Sequence, residues 1–92
     1  MKAVLIARAK EIRDDGSVVE IVVWRLAQAL PPCTHLYKYR LYFGNGGQCR
    51  VRYDNERGKG DHRHLNNAEE LYAFVSISQL LNDFQRDVET WS

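Results

Sequence analysis

The sequence predicts an α+β fold: an antiparallel β-sheet of about four or five strands, made of two successive hairpins, with a C-terminal amphipathic α-helix packed on one face. Three observations support this prediction. Two β-rich segments flank an Asp-Gly pair, two more flank a glycine-rich loop, and apolar residues recur at helical spacing near the C-terminus. A chain of 92 residues is expected to form a single domain over residues 1–92.

The first predicted hairpin joins residues 3–12 to residues 18–26. Its turn contains Asp15-Gly16, a pair that favours a tight hairpin turn because such turns need positive φ angles. A two-residue turn there pairs Ala7 with Trp24. This register predicts one shared face, made of Leu5, Ala7, Val22, Trp24 and Leu26.

The second predicted hairpin joins residues 35–43 to residues 49–54. A two-residue turn would place Leu41 opposite Arg50, whereas a three-residue loop at 45–47 sets apolar against apolar and polar against polar residues. The second register is therefore preferred. It predicts the pairs Leu41–Val51, Tyr39–Tyr53, Tyr42–Arg50, Arg40–Arg52 and Lys38–Asp54.

The C-terminal part predicts a short fifth strand at residues 71–75 and then a helix from Ile77 to Trp91. Ser76 is the expected N-cap, with Gln79 three residues later as its capping-box partner. One apolar stripe follows the helical period over four turns. Its members are Ile77, Leu80, Leu81, Phe84, Val88 and Trp91.

Composition restricts the classes of function. The net charge of +1 argues against strong overall attraction to nucleic acid or membranes, so any electrostatic role needs local clusters. The apolar run at residues 3–7 is too short for a signal peptide or a membrane span, which favours a cytoplasmic protein without a membrane partner. Cys33 and Cys49 lack the C-x-x-C spacing and are expected to be reduced thiols.

Polar side chains concentrate in the segment from Tyr53 to His64. If its last residues are extended, His62 and His64 share one face. Gly58 and Gly60 would let the backbone approach a bound anion. The neighbouring strands add a set of cations expected on one side of the sheet: Lys38, Arg40, Arg50 and Arg52. An Arg40–Arg52 pair is unfavourable alone, so a bound polyanion or nearby carboxylates are expected to neutralise it.

The first hypothesis from these residues is metal-independent cleavage of RNA without a cofactor. A histidine or Asp61 would accept the proton of the 2′-hydroxyl group, and another histidine would protonate the leaving oxygen. Cations in place stabilise the charge that grows on the phosphate. The predicted catalytic residues are His62, His64, Asp61 and Asp54. The predicted substrate-binding residues are Arg57, Lys59, Arg63, Lys38, Arg40, Arg52, Tyr53 and Asn55.

Three alternatives remain open at this point. One is a metal site at His62 and His64 with Asp54 or Asp61, although a single H-x-H pair is a weak signal. Another is a non-enzymatic module that binds single-stranded nucleic acid with tyrosines and a basic sheet face. Its candidate tyrosines are Tyr37, Tyr42, Tyr53 and Tyr72. The third is a solvated structural loop, and His35, next to the prolines, is expected to be structural.

Four segments of the chain resemble the TumE-type family of small proteins, the proposed toxins of bacterial type II toxin–antitoxin modules. These segments are residues 22–25, 31–32, 37–41 and 53–64, and the Tyr-Asp-Asn motif followed by His-x-His is the most specific. The resemblance implies a toxin neutralised by a helix-turn-helix antitoxin encoded beside it. It also implies that RNA is the target, by analogy with other small toxins. A homodimer is compatible with the sequence.

Overall fold

A computed structural model describes residues 3–91 of the chain. Six strands form one antiparallel sheet in the order of the sequence, and one helix follows them. The elements are β1 (Ala3–Ile12), β2 (Val18–Leu26), β3 (Tyr37–Asn45), β4 (Gln48–Glu56), β5 (Gly60–Leu65), β6 (Ala68–Leu71) and α1 (Ile77–Thr90). The predicted α+β class is confirmed, but the sheet has six strands rather than four or five.

The first hairpin has the predicted strands but a different register. Arg13 and Ser17 close a three-residue loop, in which Gly16 has a φ angle of +85° and the Asp15 carboxylate accepts from Ser17 N at 2.9 Å. Ala7 therefore pairs with Val23 instead of Trp24. Because a shift of one residue exchanges the two faces of a strand, Val23 is buried while Trp24 is exposed. A bulge between Leu5 and Ala7 then pairs Leu5 with Trp24, so Leu5 shares a face with Val22, Trp24 and Leu26 as predicted, whereas Ala7 lies on the other face.

The second hairpin has a two-residue turn, one residue further along the chain than the two-residue turn considered above, and a β-bulge. Gly46 and Gly47 form the turn, with φ angles of +62° and +77°, and Gly44 pairs with Cys49. Arg50 is then the extra residue of the bulge, so Phe43 pairs with Val51. The observed pairing is shifted by two residues from the predicted register. Because side chains alternate with a period of two, this shift keeps the predicted apolar residues on one face. The predicted pairs were wrong, and the observed ones include Leu41–Tyr53, Tyr42–Arg52 and Arg40–Asp54.

The β5–β6 hairpin was not predicted from the sequence. Its two-residue turn is Asn66-Asn67, with Asn66 at a φ angle of +58°, and Leu65 pairs with Ala68. Asparagine tolerates positive φ better than most residues, so this pair was a usable turn signal. The predicted strand at 71–75 was wrong beyond Leu71, because residues 72–76 form the connection to the helix.

The helix packs its apolar stripe on one face of the sheet, which we call the helix face. Ser76 is the N-cap, as predicted, and its Oγ accepts from Gln79 N at 3.1 Å. Leu80, Phe84 and Val88 are buried, while Leu81 is only half-buried. The sheet contributes the rest of the buried core through Val23, Tyr39, Leu41, Phe43, Val51 and Tyr53.

The opposite side of the sheet has no helix over it within residues 3–91, and we call it the open face. Strand alternation and pairing place two rows there, in which all residues but Val22 are polar. One row runs through Arg8, Val22, Arg40, Asp54 and His62. The other runs through Lys10, Glu20, Tyr42, Arg52, His64 and Glu69.

Two further features concern the class of protein. Within the described part of the chain, no helix is long and apolar enough to cross a membrane. Cys33 is buried and Cys49 is half-buried, and both thiols are free.

Removing the Tyr72 hydroxyl group is expected to weaken the attachment of α1. This hydroxyl donates to Asp83 Oδ2 at 2.5 Å. Burial alone would raise the pKa of Asp83, but hydrogen bonds from Tyr72 and Gln79 hold that pKa below its ordinary value. A lowered carboxyl pKa stabilises the fold above about pH 4, and this contribution is lost as the pH falls through the folded-state pKa. Tyr72→Phe should therefore lower the free energy of unfolding by about 1 kcal/mol at pH 7.

Denaturant titrations at pH 7 and pH 3 test this expectation. The difference between Tyr72→Phe and the parent should shrink at the lower pH. If the difference in unfolding free energy between the two proteins is equal at both pH values, the charge of Asp83 does not contribute to it. Tyr37→Phe serves as the control on the same face.

Candidate functional site

His62 and Asp54 form a buried pair under the open face. The β4–β5 register places them opposite each other, and His62 is only 3% exposed. His62 Nδ1 lies 3.1 Å from the carbonyl oxygen of Gly60, to which it must donate. Its Nε2 is 2.6 Å from Asp54 Oδ1, yet the two atoms are not aligned for a hydrogen bond. The hydrogen bond to Gly60 and the close packing against Asp54 therefore fix the position of the ring.

His64 lies between a hydrogen-bond donor and an acceptor. Its Nδ1 is 3.1 Å from Arg52 Nη2 and 3.2 Å from Glu69 Oε2. A guanidinium group only donates and a carboxylate only accepts. Nδ1 can therefore accept from Arg52 when it carries no proton and donate to Glu69 when it does. The ring keeps a partner in either state, so it can exchange a proton without losing its place.

Glu69 connects the two histidines and was not predicted from the sequence. Its Oε2 lies 3.2 Å from His64 Nδ1 and 4.0 Å from His62 Nε2, and its Oε1 lies 3.3 Å from Lys59 Nζ. The hydrogen bond from Lys59 holds the pKa of Glu69 below its ordinary value, and both histidines add to this effect. The missed β5–β6 turn explains why the sequence did not bring Glu69 to this site.

Two neighbouring cavities open at the histidines. One of about 320 Å³ exposes His64 and Arg52, together with Gln48, Cys49, Asn66 and Asn67. The other, of about 290 Å³, is lined by His62, Lys59, Glu69, Glu70 and Leu71. A polar ligand at the first cavity would contact an imidazole and a guanidinium together.

The cations of the open face differ in part from the predicted set. Arg40 and Arg52 lie on this face with Lys38, whose Nζ donates to the carbonyl oxygen of Asn55 at 2.8 Å. Arg50 lies on the helix face, because the bulge turns it toward Trp91, and its guanidinium carbon is 5.1 Å from the indole ring centre. Arg40 faces Asp54, so the predicted Arg40–Arg52 repulsion does not arise.

Four predicted site residues lie on the helix face, away from the histidines. Tyr53 is fully buried with its hydroxyl group on Asp87, and Arg63 contacts Glu70 at 2.6 Å. Asn55 is fully buried and accepts from Tyr39 N at 3.0 Å. Asp61 accepts from the Tyr39 hydroxyl group at 2.6 Å. These contacts are those of residues that hold the sheet together.

Asp61 belongs to a second polar cluster that includes Cys33 and His35. In residues 3–91, these three form the one group of candidate metal donors whose atoms lie within 4.8 Å of one another. However, His35 Nδ1 accepts from Tyr37 N, so Nε2 carries the proton and donates to Asp61 at 2.8 Å. A protonated nitrogen cannot ligate a metal, and His35 also stacks on Phe74. The contacts agree with the structural role predicted for His35.

The glycine-rich turn packs against the prolines instead of presenting a free anion cradle. Gly58 N donates to the carbonyl oxygen of Pro31 at 2.8 Å. A Cβ atom on Gly60, whose φ angle is +80°, would lie 3.2 Å from Pro32 Cγ. Arg57 is exposed on this turn and Lys59 reaches Glu69. Of the four candidate tyrosines, Tyr42 alone lies on the open face, under the Arg40 guanidinium.

Comparison with known proteins identifies a family for the chain. A family model described as Toxin TumE matches residues 2–92, which is essentially the whole chain. No curated protein and no solved structure matches. The resemblance found in the sequence is thereby confirmed.

Proposed function

We propose that this chain, which belongs to the TumE toxin family, is the toxin of a toxin–antitoxin module and cleaves RNA without a metal ion. One observation carries the proposal. His64 Nδ1 lies between Arg52 and Glu69, at the mouth of a polar cavity on a sheet face with further cations. A histidine supported in both protonation states is suited to general acid–base catalysis near neutral pH.

The proposed reaction uses the 2′-hydroxyl group of RNA as the nucleophile. Glu69 accepts a hydrogen bond from the protonated Nδ1 of His64, and the unprotonated Nε2 takes the proton of the 2′-hydroxyl group, which makes the ring an imidazolium. The 2′-oxygen then bonds to phosphorus and the bond to the 5′-oxygen breaks. The leaving oxygen takes a proton from the His64 imidazolium, and the products are a 2′,3′-cyclic phosphate and a 5′-hydroxyl group.

The remaining residues of the open face have supporting roles in this proposal. Arg52 stabilises the charge that develops on the phosphate, since a guanidinium already in place needs no reorganisation. His62 and Asp54 are positioning residues, because their mutual contact is buried and fixes β5 beneath His64. Asp61 and Arg63 are assigned to the structure of the helix face.

Cleavage of RNA in the presence of a chelator tests the reaction. Purified protein should cut single-stranded RNA equally well with and without excess EDTA, and the fragments should end in a cyclic phosphate. His64→Gln protein, purified in parallel, controls for contaminating nucleases. Activity lost on chelation and restored by zinc or manganese would instead support the metal hypothesis.

The second candidate is a binding module that holds RNA without cutting it, which the basic residues of the open face would also support. Both candidates predict that affinity falls with salt, because phosphate contacts release counterions. Arg52→Ala should reduce the slope of log affinity against log salt by about 0.7 for one lost phosphate contact on a single strand. Arg86→Ala, an exposed cation on the helix, should leave the slope unchanged. Equal slopes for parent and Arg52→Ala would remove Arg52 from the RNA site.

The partner of the toxin is proposed from the family alone. A toxin of this class implies an antitoxin, and we propose a helix-turn-helix protein encoded next to it, in the cytoplasm. The homodimer stays a prediction. Sedimentation of the toxin alone, and with the product of the neighbouring gene, tests both points.

A further inference from the structure

Trp24 is a large aromatic residue exposed on the open face. Its neighbour Val23 lies in the core, so strand alternation turns the indole to the other side of the sheet. The ring is 37% exposed and lies across from Lys38 of β3. The three-residue loop of the first hairpin pairs Val23, rather than Trp24, with Ala7. Trp24 therefore has no part in the buried core.

The surroundings of Trp24 combine a flat ring with positive charge. A cavity of about 390 Å³ lies beside it, with Arg8, Lys10, Glu20 and Val22 among its lining residues. Lys10 lies opposite Glu20, which offsets its charge, whereas Arg8 lies opposite the apolar Val22. Of the two cations that line this cavity, Arg8 is therefore the one whose charge is not offset by a carboxylate directly across the strand pair.

We infer that Trp24 and Arg8 form a subsite for single-stranded RNA, an inference that rests on the proposed function. One unpaired base stacks on the Trp24 indole, and Arg8 binds a neighbouring phosphate. Aromatic stacking together with a positively charged groove is the general means by which proteins hold single strands. The faces of bases inside a duplex are already covered by their neighbours, so the subsite selects unpaired RNA.

The subsite and His64 lie apart both across and along the strands. Trp24 lies on β2 and His64 on β5, three strand spacings away, and the β2 residue in the His64 row is Glu20, four residues from Trp24. At about 4.8 Å per spacing and about 3.3 Å per residue, the separation is roughly 20 Å. A strand of RNA that crosses the open face from Trp24 to His64 passes over Arg40 and Arg52, which lie on the strands between them. The subsite therefore sets the path of the RNA through the reaction site.

The two tryptophans of the chain allow a matched test. Trp91 is similarly exposed, at 43%, but lies at the end of the helix beside Arg50, away from the open face. The tryptophan fluorescence of Trp91→Phe protein comes from Trp24 alone, and that of Trp24→Phe protein comes from Trp91 alone. Both are made in a His64→Gln background to prevent cleavage and are titrated with a single-stranded uridine oligonucleotide at low salt. Fluorescence should be quenched in the first protein and unchanged in the second.

Affinity measurements complete the test. Trp24→Ala should weaken binding of the oligonucleotide by about fivefold to 150-fold, the range expected for one stacked base. Trp91→Ala should leave affinity within about twofold of the parent, and Arg8→Ala should reduce the salt slope by about 0.7. A hairpin duplex of matched length should bind more weakly and leave Trp24 fluorescence unchanged.

The outcomes separate this inference from the function on which it rests. If the oligonucleotide binds but Trp24→Ala keeps full affinity and Trp24 is not quenched, the subsite is overturned and the proposed function stands. If folded parent protein binds no single-stranded RNA at low salt, both are overturned. Duplex binding as tight as single-strand binding would also overturn the subsite.

Discussion

His64→Gln protein is expected to cleave RNA about a hundredfold to ten-thousandfold more slowly than the parent, the usual contribution of a general acid or base. Glutamine can still hydrogen-bond to Arg52 or Glu69, but it cannot exchange a proton at neutral pH. The side chain is half-buried and contacts Arg52 and Glu69, so the change should lower the free energy of unfolding by about 1 kcal/mol, which leaves the protein folded. Initial rates on a labelled oligonucleotide, with circular dichroism on the same samples, measure both effects.

His35→Gln is the matched control for this prediction. The same chemical change on the helix face removes the stacking of the ring on Phe74 and weakens the hydrogen bond to Asp61, so it should lower stability. Its cleavage rate per folded molecule should stay near that of the parent. A folded His64→Gln protein that cuts RNA at the parental rate, or kills cells equally on induction, would remove His64 from the chemistry.

His62 requires a different interpretation from the one the sequence favoured. Both histidines were predicted from the sequence to be catalytic residues that share one face of a strand. The structure buries His62 against Asp54, and an alanine there leaves the buried carboxylate with Arg52 Nε, 3.4 Å from Oδ2, as its remaining ion-pair partner. His62→Ala is therefore expected to lower stability, and His64 is the position that tests the reaction.

Phe84→Ala should lower the free energy of unfolding by about 3–5 kcal/mol, the range for a fully buried phenylalanine. Phe84 is 3% exposed, and its ring meets the edge of Tyr53 at a centroid distance of 6.0 Å. The substitution opens a cavity between the helix and β4, where the sheet cannot collapse to fill it. The change in the denaturant midpoint measures the loss of unfolding free energy, provided that the slope of this free energy against denaturant concentration is the same for both proteins.

Val75→Ala provides the control for the loss of an apolar group. Val75 is 74% exposed in the connection before the helix, so its truncation should cost about 0.5 kcal/mol or less. A loss below about 1 kcal/mol for Phe84→Ala would mean that the apolar stripe of the helix is not the main cover of the sheet.

The helix and the first four strands were predictable because their signals are local. Apolar residues at helical spacing and the Ser76 cap depend only on neighbouring positions, and the first hairpin has its predicted bounds. Register was not predictable, because it depends on turn type and on bulges. The loop closed by Arg13 and Ser17 and the bulge at Arg50 change pairing without changing composition.

The candidate site was predicted in part for the same reason. Placing His62 and His64 on one face needed only strand alternation, and the structure bears out this placement. Deciding which polar neighbours share that face needed the register across four strands. Asp61 and Arg63 alternate with the histidines and so point to the helix face. Glu69 required recognition of the Asn66-Asn67 turn, and Trp24 required the correct loop in the first hairpin.

The order of the strands in the sheet has a consequence for how the chain folds. Within residues 3–91, each strand pairs only with its neighbours in sequence, so the loops that must close are short and the entropy lost in closing them is small. Such local topology favours rapid folding, and the sheet can grow in the order of synthesis. His64 meets Arg52 when β5 joins the sheet but meets Glu69 only when β6 joins. We therefore expect a nascent chain to stay inactive until its last hairpin has formed.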